Sequence, residues 1–550
     1  MSKKQLLLAL IFYVFIFFSN LAHTIGPDST RSKQPSNWFN LDYLQNGIHG
    51  VSTEKAYNEL LKNKKSKTVI VAIIDSGVDI MHEDLKESIW TNIKEIPENG
   101  IDDDHNGYVD DVHGWDFLGG KDGRDIRYET SELTREYVRL KKLYEGVNTS
   151  FLSEKEKSEY TKYTAAKQKF DTKNEELKNQ GGEMIISFYE NYQKAKEILN
   201  NYLNKKAFTE KEVDKIDEKD LAASPRLAKA KQIFKLLSEM GLDEDKLQEA
   251  FEYFNGQITY GLNLDYNPRS IVGDDPNNPN ERFYGNNEVQ GPDARHGTHV
   301  AGIIAANRNN NLGIKGIADN VKIMAIRTVP DGDERDKDVA NAIKYATENG
   351  AQIINMSFGK SISPQKTIVD EAVKMAQQIG VLFIHAAGND NDDIDTEENY
   401  PTRRYLDGGE AENWIEVGAS SWHSDTNLVA EFSNYGKKMV DLFAPGVDIH
   451  SSVPMNQKHY EDLSGTSMAA PVVTGIAALV WSYYPTLSAT ELKKILKESS
   501  VKLTNMKVIK PGTKQLVPFG SLSNTGGLIN AYLALKMAES IINPNVKRIN

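Results

Sequence analysis

A chain of 550 residues with 39% hydrophobic content has room for one large domain or roughly two to three ordinary ones, and enough apolar residues for a substantial core, which excludes a disordered protein. Its net charge of −13 excludes a general nucleic-acid binder, because neutralising phosphates takes clustered Lys and Arg. Cysteine is absent, so neither disulfides nor a thiol nucleophile are available, and an exported form would draw its stability from a large core or from bound calcium.

In chain order, residues 1–22 begin with Lys3 and Lys4, run apolar from Leu6 to Phe18, and turn small and polar around Ser19 and Ala22. This is a secretory signal pattern, and its thirteen apolar residues fall short of the roughly 20 that span a bilayer. The pattern predicts an exported protein, periplasmic, cell-surface or extracellular, with no stable membrane span after signal removal. Residues 23–66 read as an N-terminal strap containing a helix.

"KTVIVAIID" (67–75) is apolar and rich in β-branched residues, which fits a parallel strand buried on both faces and sets Asp75 at its C-terminal end. In "IDDDHNGYVDD" (101–111), Asp102, Asp104 and Asn106 alternate, Gly107 suits a sharp turn, and the Tyr108 carbonyl and Asp110 follow. These are the first nine positions of an EF-hand-like calcium loop; His113 stands where the bidentate Glu would be, so a remaining ligand must come from elsewhere.

From 125 to 265 the texture changes to Lys, Glu, Tyr and Leu at helical spacing, and the buried-strand pattern is missing, which predicts an inserted all-α subdomain. Thr209 with Glu212 forms a capping-box pattern, while Ser224 and Pro225 open a helix that Gly241 stops. Nothing in this segment names a partner.

Beyond it, "RHGTHVAGIIAA" opens an apolar helix with His296. Buried-strand patterns at 321–329, 351–358, 381–388 and 413–420 alternate with helical stretches, so the class is α/β with a mainly parallel sheet. Reactive groups in such a fold lie at strand ends and in the loops that follow. "HAAGND" sets Asn389 just past the third of these patterns, and "LSGTSMAAPVVTG" (463–475) starts a long apolar helix at Ser467. His299, on the same apolar helix as His296, and His385, inside a strand, read as structural, and no HExxH zinc pattern occurs.

Asp75, His296 and Ser467 supply an acid to orient an imidazole, the imidazole to take a proton, and a hydroxyl to lose it. Singly each has a bland reading as a turn or cap. Together, with "DSGVD", "HGTHVAG" and "GTSMAAP" intact and in the order Asp, His, Ser, they resemble the signatures of the subtilisin-like serine proteases, the subtilases. The resemblance covers about 67–124 and 266–540 as catalytic domain, with a subtilisin-like three-layer fold.

It implies a triad of Asp75, His296 and Ser467, with Asn389 donating to the oxyanion. It implies that Ser357, Phe358 and Gly359 pair with a protein or peptide substrate as an added strand, and that Ala387 and Gly388 lie in the pocket for the residue before the cut. Polar neighbours Asp390, Glu397, Glu398 and Asn399 suggest a basic or polar residue there. A second calcium site is implied at Asp84, with Asn310 and the Leu312 and Ile314 carbonyls. The rival reading is an inactive protease-like scaffold that presents the insertion to a partner; an altered triad or a missing oxyanion donor would mark it.

Overall fold

The computed structural model describes residues 34–544, so the signal pattern and the first part of the strap lie outside the described residues. Two compact units are present: Leu133–Tyr266, and the remainder on either side of it.

The larger unit is built on a nine-stranded sheet. Its strands are β1 (Val69–Asp75), β2 (Gly114–Asp116), β3 (Val321–Arg327), β4 (Ile353–Met356), β5 (Leu382–Ala386), β6 (Trp414–Ser420), β7 (Leu442–Pro445), β10 (Val501–Lys502) and β13 (Gly527–Leu528). Hairpins β8 (Ile449–Ser452) with β9 (Tyr460–Leu463) and β11 (Lys507–Ile509) with β12 (Leu516–Pro518) stand apart from it. The order is β10-β13-β7-β6-β5-β4-β1-β3-β2, parallel throughout except for the β10–β13 pair.

Side-chain alternation explains the layers. Val71 and Ile73 of β1 face one core, with helices Arg295–Ala305, Thr466–Tyr483, Ala489–Glu498 and Ala531–Ile542. Ala72 and Ile74 face the other, with helices Asp336–Glu348 and Lys366–Ile379. Helices on both faces of a parallel sheet make the three-layer α/β arrangement and explain why the strands read as continuous apolar runs. The described part of the strap joins the first core through Trp38, Phe39 and Val51. Thr466–Tyr483 is long and apolar enough to cross a membrane, yet it is packed inside this core.

The other unit is all helical, with Glu154–Asn179, Gly182–Leu203, Pro225–Glu239 and Glu244–Asn255 as its longest complete helices. Its caps follow the sequence closely. The Ser224 side chain accepts from the Leu227 N–H ahead of Pro225, Thr209 and Glu212 form the capping box, and Gly241 takes a left-handed φ of +69°. Tyr137, Tyr163, Phe170, Ile185 and Phe254 form one cluster of its core. The unit begins at Leu133 rather than 125, because residues 125–132 are tied to the α/β body: Ile126 N–H donates to the Leu118 carbonyl and Glu129 N–H to that of Asp331.

Candidate active site

β1 ends at Asp75, whose carboxylate is buried. Its Oδ1 accepts from the Ser76 N–H at 2.7 Å and lies 2.7 Å from His296 Nδ1. A Cβ on Gly297 would lie 2.1 Å from the Gly77 carbonyl oxygen, so only glycine lets the His296 helix approach the β1 turn this closely. Thr298 Oγ1 adds a second tie by accepting from the Asp79 N–H. Burial opposes a charged His296 imidazole, but the Asp75 carboxylate outweighs it and holds the imidazole pKa above its ordinary value.

Ser467 is the second residue of its helix, half-buried. Pro471 explains the start of that helix. Lacking an N–H, it leaves the Ser467 carbonyl without its usual partner four residues on, and Ser357 Oγ donates to that carbonyl at 3.0 Å instead. Ser357 Oγ in turn accepts from Asn355 Nδ2, whose Oδ1 accepts from Thr474 Oγ1. The Ser467 backbone is therefore held by a buried polar chain. The Ser467 hydroxyl donates to the Ser357 carbonyl at 3.0 Å, and no hydrogen bond joins it to His296 among the described residues.

Asn389 follows β5. Its Oδ1 accepts from both the N–H and the hydroxyl of Thr466, at 2.8 and 3.0 Å, which turns Nδ2 the other way. A Cβ on Gly465 would lie 3.6 Å from that Nδ2, 3.5 Å from the Ser467 nitrogen and 3.7 Å from the Ser467 Cβ, so both donor nitrogens lie around one point beside Ser467. This is the arrangement an oxyanion needs. Asn389→Ala is expected to lower kcat on a peptide substrate by about 10²–10³ with KM nearly unchanged. Steady-state kinetics check it, and a loss below about fivefold would count against the assignment.

Ser357, Phe358 and Gly359 continue the line of β4 past the sheet. Ala387 and Gly388 are pinned by Thr466, Asn399 and Asn434, of which Asn434 lies in no motif. Gly388 N–H donates to Thr466 Oγ1, Asn434 Nδ2 to the Ala387 carbonyl, and Asn399 Nδ2 to the Ala386 and Ala387 carbonyls. Asn434 Oδ1 also accepts from the Asp390 and Asp392 N–H groups. Of the other histidines, His299 is fully buried against the Ile449 and Glu461 carbonyls, and burial pushes its pKa down to about 3.

In the acidic loop, one ligand oxygen each of Asp102, Asp104 and Glu95 lie within 4.8 Å of one another. Glu95 comes from upstream of the loop. Its Oε1 accepts from the Asp103 and Asp104 N–H groups and its Oε2 from that of Asp110. Burial, and then the neighbouring carboxylates, raise the Glu95 pKa. Asn106 Oδ1 accepts from the Tyr108 N–H, and its Nδ2 donates to Asp111. The Asp110 carboxylate accepts from the Asn99 and Gly100 N–H groups. Converging hard oxygens on a tight loop fit a calcium ion. At the other implied site, Asp84 is buried and accepts from Asn310 Nδ2 at 2.7 Å and from the Ile314 N–H at 3.4 Å. The Leu312 N–H is taken by Asn310 Oδ1.

An imidazole bound to a buried carboxylate and a serine at the start of a buried helix, both on a mainly parallel sheet, fit the serine hydrolases of α/β fold. Its sequence narrows that class: the chain belongs to the Subtilase family, the subtilisin-like serine endopeptidases, whose family model matches residues 66–521. It is 42% identical over 188 residues to the thermophilic serine proteinase of Bacillus sp. (strain AK1), covering 34% of this chain and 42% of that one. With subtilisin DY of Bacillus licheniformis it shares 37% identity over 210 residues, 38% of this chain and 71% of the relative. With subtilisin-like protease 1 of Plasmodium falciparum (isolate 3D7) it shares 31% over 350 residues, 56% and 48% respectively. The chain thus spans less than half the length of the first and third of these relatives.

Proposed function

We propose that this chain is an exported, calcium-stabilised serine endopeptidase that cuts extended protein segments through an acyl-enzyme. The observation that carries the reading is the 2.7 Å contact of His296 Nδ1 with buried Asp75, together with the gathering of the Ser467 nitrogen and Asn389 Nδ2 around one point at Gly465. The peptide lies along Ser357–Gly359 as an added strand, which gives tolerance of sequence because main-chain bonds supply the affinity. A substrate N–H that takes the Ser357 carbonyl displaces the Ser467 hydroxyl from it and frees that hydroxyl for His296 Nε2. His296 then accepts the proton as Ser467 Oγ attacks the peptide carbonyl, and the Ser467 N–H and Asn389 Nδ2 hold the oxyanion. His296 returns the proton to the leaving amine, and it acts again as base when water cleaves the ester. Asp75 keeps the imidazole in the right tautomer throughout.

Asp390, Glu397, Glu398 and Asn399 favour a basic or polar residue before the cut. The experiment is incubation of the purified protein with unfolded casein, which should release peptides in a reaction blocked by a fluorophosphonate. Intact casein after incubation with the folded protein would sink the proposal.

Calcium would be held by Asp102, Asp104, Asn106 and the Tyr108 carbonyl with Glu95, and by Asp84 with Asn310 at the second site; its contribution there is charge compensation and loop closure. An ion at a hundred times its Kd stabilises the folded state by about 2.7 kcal/mol. A chelator is therefore expected to lower Tm by several degrees, and Glu95→Gln to remove most of that sensitivity. Superimposable melts with and without chelator would contradict it.

A further inference from the structure

Resting on the endopeptidase reading, we infer that His385, clamped by Glu416, is a positioning residue for the strand that pairs with substrate. His385 lies in β5 between Met356 of β4 and Glu416 of β6, and its ring is fully buried. Nδ1 is 2.8 Å from Glu416 Oε1, and Nε2 is 2.9 Å from the Phe358 carbonyl oxygen. The other carboxyl oxygen of Glu416 accepts from Trp414 Nε1 at 2.8 Å.

The proton count follows from the acceptors. A carbonyl can only accept, so Nε2 must carry a hydrogen. Nδ1 faces a carboxyl oxygen, so a second proton lies between Nδ1 and Glu416, on one side or the other. The ring is thereby fixed as a donor to Phe358. An apolar pair of the same volume would fill this space without burying ionisable groups, which is often at least as stable. What the polar pair adds is a rigid donor beneath the substrate strand.

Its consequence comes from strand geometry. Along an extended chain, successive residues turn their N–H and C=O to opposite edges. Holding the Phe358 carbonyl inward directs the main-chain groups of Ser357 and Gly359 outward, to the edge a peptide would meet. Ser357, one residue before the carbonyl that His385 holds, is bonded both ways to Ser467, so the adjoining peptide plane registers substrate against Ser467.

The test compares His385→Leu, His385→Gln and His385→Asn on a tetrapeptide substrate and on a small fluorophosphonate, which labels the nucleophile without strand pairing. His385→Leu is expected to raise KM about tenfold or more while labelling stays within about twofold of wild type. A Gln amide reaches the Nε2 position and should restore KM to within about threefold. An Asn amide reaches only the Nδ1 position and should not. Unchanged KM in His385→Leu would overturn the inference, as would a loss that Gln fails to restore and that reduces labelling equally. Wild-type protein that neither hydrolyses nor labels would instead overturn the endopeptidase reading, and this inference with it.

Discussion

Ser467→Ala is expected to lower kcat on a peptide substrate by about 10⁶-fold, with KM and the thermal melt nearly unchanged. The hydroxyl's one hydrogen bond, to the Ser357 carbonyl, is a neutral contact worth about 1 kcal/mol, so its loss leaves the fold in place. The carbonyl keeps its other surroundings, and Ser357 Oγ still donates to the residue 467 carbonyl, because that bond uses main chain. What disappears is the hydroxyl that the proposed mechanism turns into the ester. Residual hydrolysis of roughly 10³–10⁴ over water should survive, since the Asn389 amide and the residue 467 N–H still polarise a bound carbonyl. A variant retaining more than a hundredth of wild-type kcat would assign the nucleophile elsewhere; progress curves at high enzyme concentration read the difference.

Asp75→Asn is expected to cost about 10⁴ in kcat, by a different route. The amide fills the same volume at the end of β1, and the Gly297 approach does not depend on charge. It can, however, present an N–H to Nδ1 and stabilise the wrong imidazole tautomer, and it cannot compensate the imidazolium formed during attack. A pH profile separates this from general damage. In the wild type, burial lowers the His296 pKa and Asp75 raises it by more, so the acidic limb of kcat/KM lies above the ordinary imidazole value. Because His296 works as base in its neutral form, activity falls as pH drops through that value. Removing the Asp75 charge leaves burial dominant, and the residual activity should persist to lower pH. A limb that stays in place would mean that Asp75 does not set the His296 charge.

Much of this site was legible in the sequence because its parts are local. Asp75, His296, Asn389 and Ser467 each sit in a short motif whose neighbours do identifiable work. Gly297 permits the helix approach, Thr466 orients Asn389, and Pro471 frees the Ser467 carbonyl. The strands β1, β3, β4, β5 and β6 were legible from unbroken apolar runs, and the helical unit from Ser224, Pro225 and the Thr209–Glu212 box.

What the sequence hid is whatever depends on register or on loop return. Glu95 meets Asp102 and Asp104 only because the intervening turn folds back. Asp110 fits the spacing of a ligand, and its carboxylate also accepts from the Asn99 and Gly100 N–H groups, which lie eleven and ten residues upstream. Asn434 carries no local signal, although it pins both the Ala387 carbonyl and the Asp390–Asp392 turn. His385 read as a structural histidine because its partners, Glu416 and Phe358, lie on neighbouring strands. Short strands such as β2, β10 and β13 have too few residues to show a period.

The central claim is that Asp75, His296 and Asn389 make one serine reactive. It is tested most directly by treating the folded protein with a fluorophosphonate and locating the adduct by peptide mass mapping. A single adduct on Ser467, slowed severely in His296→Ala, is the predicted result; an adduct on another residue, or none in a preparation that cleaves casein, would contradict it.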